Sequence, residues 1–312
     1  MSLLTRAKTA EPGAESQSPL RPRRRTATRR WAGLLWLAPA FAFYATFVLF
    51  PLMQTVRFSL YDWDGIGVAN FVGLANYANV FSQPELAASL INAFILIIFF
   101  SIVPVGLGLI AAALLREMRQ GAISTLARVL LFLPQVIPLA GAAIAWTYMY
   151  SDDGVVNQIL RAVGLESQTR PWLGDFDTAL VAVGIIGTWV ALGFCTILLL
   201  SGMGKIDPSL YEAARLDGAG RIREFVSITV PGLRREIVVC ITVTIIAALA
   251  SFDVIYVSTK GGPGYQTMVP GVEIFRLTFL DQKVGLASAL ALVLAALVIV
   301  VVLPIQRLGR ES

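Results

Sequence analysis

Six runs without a single charged residue punctuate this chain, at 31–56, 86–115, 129–151, 178–204, 237–252 and 284–306. Five of them exceed the roughly 20 residues a helix needs to cross a hydrocarbon core. The run at 237–252 is shorter because Asp253 interrupts it, and apolar sequence continues to Val257. A chain that is 56% hydrophobic, with mean hydropathy +0.73, exceeds the apolar content of soluble domains. The pattern predicts an all-α membrane protein with six transmembrane helices.

Lysine and arginine orient those helices. With the N-terminus inside, residues 1–31, the 116–128 and 203–236 connections and the C-terminal end carry nineteen of the 25 basic residues. The opposite side keeps six, namely Arg57, Arg161, Arg170, Lys260, Arg276 and Lys283. Such asymmetry predicts a multi-pass plasma-membrane protein with both termini in the cytoplasm. Topology therefore accounts for the net charge of +5 without a nucleic-acid partner. The Arg21–Arg25 segment is an orientation signal that can also touch anionic lipid headgroups.

The expected organisation is a disordered basic cytoplasmic tail at 1–30, a first transmembrane helix at 31–60 and an external segment at 61–85. The transmembrane domain occupies 86–304, followed by a cytoplasmic tail at 305–312. Helix 3 carries Pro134, Gln135 and Pro138 in one apolar run, so it is expected to be distorted. Helix 5 is expected to run from near Pro231 to about Val257. The Gly261-Gly262-Pro263-Gly264 core of the third external loop demands turns.

Between helices 4 and 5 lies Asp207-Pro208-Ser209-Leu210-Tyr211-Glu212-Ala213-Ala214-Arg215-Leu216-Asp217-Gly218. Asp207 can cap a first turn, Pro208 suits the first helical position, and Gly218 offers a left-handed stop. Glu212 lies near the positive helix end. Leu210, Ala213 and Ala214 share one face at i, i+3, i+4 spacing. A loop gains little from building such a helix unless something docks on it.

These residues carry a resemblance. Glu212-Ala213-Ala214, three residues, Gly218, nine residues and Ile228-Thr229-Val230-Pro231 resemble the Glu-Ala-Ala loop of binding-protein-dependent ABC importer permeases. The family pattern closes Ile-x-Leu-Pro, so Val230 departs from it conservatively. The resemblance implies a type I ABC importer permease fold with a cytoplasmic coupling helix, in which Glu212, Ala213, Ala214, Asp217, Gly218, Ile228 and Pro231 form the ATPase-coupling loop. Gly73-Leu74-Ala75-Asn76-Tyr77 is similar to a segment that family members often carry, and Gly261-Gly262-Pro263 to one frequent in the carbohydrate-uptake branch, of maltose or glycerol-phosphate type. The partners implied are a second homologous permease, two ABC ATPase subunits, an external substrate-binding protein and membrane lipids.

The chemistry missing from the chain agrees with a conduit. Without histidine there is no His-based triad, His-ligated zinc or imidazole relay. Gly202-Met203-Gly204-Lys205-Ile206 lacks the spacing and the hydroxyl of a phosphate cradle. The chain is therefore read as no enzyme and as having no cofactor of its own, with ATP and Mg on the partner ATPase. Cys195 and Cys240 read as apolar packers, not a disulfide or metal pair.

Asp253 is the one acidic residue within a predicted span, and such a carboxylate is expensive in lipid. With Phe252 and Tyr256 it would place aromatic faces beside hydroxyl acceptors at a pathway mouth. The alternative is a carboxylate reaching the headgroups or pairing with Lys260. Asn92, Gln135 and Trp189 are further pathway candidates, with interhelical packing as their alternative. The rival function, an ion-coupled secondary transporter of a polar solute, would normally need more intramembrane carboxylates or histidines.

Overall fold

The computed structural model describes residues 28–119 and 121–309. The Arg21–Arg25 segment, most of the 1–30 tail and the last residues of the 305–312 tail lie outside the described residues. The chain divides at Leu52–Met53 into two compact units. The first unit contains α1 (Thr28–Tyr44), a π-helical segment (Ala45–Leu49) and the start of α2 (Phe50–Phe58). Phe43 and Phe47 pair on its apolar surface at 4.5 Å.

In the second unit, the rest of α2 leads to a ribbon of β1 (Tyr61–Asp62) and β2 (Asn70–Phe71), antiparallel with Tyr61 opposite Phe71. Next come α3 (Ala75–Ser82), α4 (Pro84–Ile97), a second π segment (Ile98–Ile102) and α5 (Val103–Glu117). The pair α6 (Ala122–Val136) and α7 (Leu139–Met149) precedes a surface helix, α8 (Val155–Ala162), and the long α9 (Ala179–Met203). The connection to helix 5 contains α10 (Pro208–Leu216), α11 (Arg221–Glu224), a third π segment (Phe225–Thr229) and α12 (Val230–Gly232). Then follow α13 (Arg234–Leu249), α14 (Asp253–Ser258), α15 (Pro270–Phe279) and α16 (Val284–Leu308).

Among the described residues, four helical stretches are long and apolar enough to cross a membrane unbroken: Trp36–Phe58, Pro84–Glu117, Ala179–Met203 and Val284–Arg307. Helix 3 is the pair α6–α7, bent by 102°. Ile137, which precedes Pro138, is extended at the break (φ −76°, ψ 129°), because proline excludes the α conformation from the residue before it. Helix 5 departs from the expected continuous 231–257. Its straight part is only α13, and the backbone leaves the helix at Ala250–Phe252 before α14 begins.

The sequence explains the π segments. Each ends two residues before a proline, at Leu49/Pro51, Ile102/Pro104 and Thr229/Pro231. Proline lacks an N–H and its ring collides with the carbonyl four residues back. Widening the preceding turn accommodates both faults. The Phe50, Val103 and Val230 N–H groups accordingly reach back five residues, to Ala45, Ile98 and Phe225.

Apolar on all sides, α9 is the centre of the second unit and packs against α5, α6 and α13. Its glycines allow close approach. A Cβ at Gly193 would lie 2.1 Å from the Leu131 carbonyl oxygen, and one at Gly187 would enter the Phe100 ring. Two hydroxyl bridges cross the second π segment. Thr188 Oγ1 donates to the Phe99 carbonyl at 2.5 Å, and Thr244 Oγ1 to Ser101 Oγ at 2.7 Å. Cys195 and Cys240 are buried and unbridged in one apolar cluster with Leu199 and Leu233.

Candidate functional site

The loop after α9 folds as a helix stopped at both ends. Asp207 is the N-cap, its carboxylate accepting the Ser209 N–H at 2.9 Å, and Pro208 takes the first helical position. That backbone bond, with the Ser209 hydroxyl, holds the Asp207 carboxyl below its ordinary range. Beyond the C-cap Asp217, Gly218 adopts φ +78°. The Ala219 N–H then reaches the Ala214 carbonyl at 2.9 Å and the Gly218 N–H that of Arg215 at 3.1 Å, a Schellman closure.

Glu212, Ala213 and Asp217 are exposed, as are Leu210 (52%) and Leu216 (89%). Ala214 is half-buried. Ile228 is half-buried within the third π segment, and Pro231 is exposed just beyond it. Thus α10 offers two leucines, an alanine and a carboxylate outward.

The inner side of α10 rests on residues absent from the motif. Tyr211 is buried, with the Arg116 guanidinium 4.0 Å from its ring centroid and its hydroxyl 3.0 Å from Thr229 Oγ1. Arg215 donates to both oxygens of the buried Glu224, at 2.9 and 3.3 Å. Arg221 pairs with Glu117 at 3.2 Å. An open groove of about 540 Å³ beside α10 is lined by Ile110, Leu114, Met203 and Phe225. Part of this was readable, since Tyr211 and Arg215 share a face at i, i+4. Their partners come from other elements and left no local signal.

At the other end of α13, the structure corrects the placement of Asp253. It is exposed in the first turn of α14 and not inside a continuous span. A carboxylate is favoured there by the free N–H groups of the turn. Among the described residues no ion pair joins it to Lys260. Phe252 and Tyr256 stack at 5.0 Å with 14° between their planes, and Phe275 of α15 closes on both at 5.7 and 5.1 Å. Sequence reading missed Phe275, because α15 lies within a segment read as loop.

Trp189 is half-buried and meets Trp146 edge-on at 5.7 Å, at the rim of the same core that Phe252 and Tyr256 border. Gln135 is exposed at the α6–α7 break, apart from that core. Asn92 is buried, and its amide donates to the Gln266 and Met268 carbonyls at 3.1 and 2.9 Å. It pins the Gly-Gly-Pro-Gly loop, where Thr267 Oγ1 also donates to the Gly262 carbonyl at 2.7 Å. Turns at Gly261 (φ +91°) and Gly264 (φ +51°) give this loop its expected non-helical path.

Comparison with known proteins places the chain. Residues 104–310 match the family described as binding-protein-dependent transport system inner membrane component. The diacetylchitobiose uptake system permease protein NgcF of Streptomyces coelicolor is 32% identical over 311 residues, covering 95% of this chain and 87% of that one. The sulfoquinovosyl glycerol transport system permease protein SmoG of Agrobacterium fabrum is 35% identical, covering 86% and 87%. A probable ABC transporter permease protein of Bacillus subtilis, YurN, is 36% identical over 83% and 89%. The fold is that of a chain in the crystal structure of a bacterial ABC transporter that imports the acidic polysaccharide alginate. The match has a TM-score of 0.77 at 22% identity, covering 91% of this chain and 96% of that one. The protein belongs to the family of inner-membrane components of binding-protein-dependent transport systems.

Proposed function

We propose that this chain is the permease subunit of an ATP-driven importer for an oligosaccharide or related polar carbohydrate. It pairs with a second homologous permease, two ABC ATPase subunits and an external substrate-binding protein. ATP and Mg reside on the ATPases. The observation that carries this reading is α10, closed at both ends, with an exposed Leu210–Glu212–Ala213–Leu216 face and a tethered inner side. Such a helix suits docking by a separate subunit. Glu212, Ala213, Ala214, Asp217, Gly218, Ile228 and Pro231 form the coupling loop on the cytoplasmic side. Segment 86–304 is the translocation domain, preceded by the helix at 31–60 and the external segment at 61–85.

The carbohydrate class rests on the relatives, whose names specify diacetylchitobiose, sulfoquinovosyl glycerol and lactose uptake. The Phe252–Tyr256–Phe275 ring group beside Asp253 gives a sugar apolar faces and a hydroxyl acceptor. Gln135, Asn92 and Trp189 are weaker lining residues, Asn92 because its amide is already engaged.

The test is purification of the tagged chain in mild detergent, followed by uptake of labelled oligosaccharides into proteoliposomes. Recovery of an ATPase and a second permease, with uptake that requires ATP, is the expected result. Uptake abolished by a protonophore but indifferent to ATP would overturn it.

A further inference from the structure

The coupling helix is poorly backed. Among the described residues no helix packs along α10, and an open groove of about 540 Å³ lies between it and the end of α5. Packed interiors transmit displacement because atoms are in contact. An open groove does not. Movement of α10 toward α5 therefore passes through its side-chain attachments.

Those attachments lead in two directions. Arg116, in the last turn of α5, holds the Tyr211 ring, and α5 continues back through the second π segment into α4. Thr229 and Glu224 lead into α12 and α13. Arg215 hydrogen-bonds only in the second direction, with Glu117 of α5 attracting it through space. Tyr211 is the α10 side chain that touches both, by its ring face to one and its hydroxyl to the other. It is also the one buried residue of α10.

We propose that Tyr211, clamped between Arg116 and Thr229, is the positioning residue that passes motion of α10 to the α4–α5 span and to α13 together. The inference rests on the coupling role given to α10 above. It assigns to Tyr211 no contact with the ATPase, since that residue faces away from the exposed surface. Removing the ring leaves slack over the groove, so the ATPase still docks while its stroke is absorbed.

The experiment uses the whole importer in proteoliposomes, with its ATPases and binding protein, and reads substrate accumulated per ATP hydrolysed. Tyr211→Leu is expected to lower that ratio by about fivefold or more, the lower end of the range for coupling between sites. ATPase subunits should co-purify in the wild-type ratio. Arg116→Met and Thr229→Val each cut one link from outside α10 and are expected to lower the same ratio. They serve as independent arms if Tyr211→Leu fails to accumulate in the membrane. Tyr211→Phe keeps the ring over Arg116 and should fall between Tyr211→Leu and wild type.

A wild-type ratio in Tyr211→Leu and in both single-link variants overturns the proposal. So does loss of the ATPase from Tyr211→Leu, because the residue would then shape the docking face itself. Failure of the unaltered chain to capture any ATPase would instead remove the coupling role of α10, and this inference with it.

Discussion

Gly218 has φ +78°, and nothing lies within 4 Å of where a Cβ would sit. Gly218→Val therefore meets no clash, and its cost is the left-handed backbone alone, about 1–2 kcal/mol. That is enough to open the closure of a nine-residue helix and too little to unfold a membrane bundle. Normal membrane levels with lost uptake are expected, measured by immunoblot and transport in the same cells. Ala213→Asp should give the same result for a different reason, a charge placed on the exposed face. Asp207 acts at the opposite end. Its carboxyl titrates below the ordinary 3.8 in the folded chain, so the cap is fully formed above that value and is lost as pH falls through the folded pKa. The Ser209 amide should lack exchange protection in Asp207→Ala at every pH. In Asp207→Asn, which keeps an acceptor but no titrating group, protection should persist into acid.

At the scale of elements, helix ends were legible where local chemistry sets them. The uncharged run at 178–204 frames α9 (Ala179–Met203), and Pro84 opens α4. The 102° bend in helix 3 follows from Pro134 and Pro138. The break at Ala250–Phe252 was not legible, because its support is distant. Gly271 of α15 lies so close that a Cβ there would sit 2.7 Å from the Ser251 carbonyl. An aspartate ending an apolar run was the one local hint, and it reads equally as a pathway residue. The helix α10 was legible in its caps, whereas Tyr211's partners Arg116 and Thr229 lie far from it along the chain. Glycines on helix faces separate packing from propensity. Gly193→Ala drives a Cβ into the Leu131 carbonyl, a backbone atom, and overpacking of this kind costs about 1–3 kcal/mol. Gly106→Ala on α5 meets nothing within 4 Å, and helix propensity favours it by about 0.5–1 kcal/mol. Thermal unfolding in detergent should therefore move in opposite directions for these two substitutions.

For the whole molecule, the side on which each connection emerges depends on the bent pair α6–α7. If it crosses the bilayer, three crossings separate Ile66 from Leu216: Pro84–Glu117, the bent pair, and Ala179–Met203. If it dips in and returns, only two do, and both residues emerge on the same side. The nineteen-to-six division of basic residues favours the crossing. A re-entrant pair would put the six of 203–236 and the two at the C-terminal end on the side of Arg57 and bring Arg161, Arg170, Lys260, Arg276 and Lys283 to the other, a weaker division of sixteen to nine. Ile66 and Leu216 are 85% and 89% exposed, and the native Cys195 and Cys240 are buried and should stay silent. In intact cells that express the chain without its ATPases, a membrane-impermeant maleimide should label Ile66→Cys, with Leu216→Cys reacting only after permeabilisation. Labelling of both from outside, or of neither, would make the pair a re-entrant loop. It would also put α10 and the β1–β2 ribbon on one face of the membrane, leaving no single orientation that serves both an ATPase and an external binding protein.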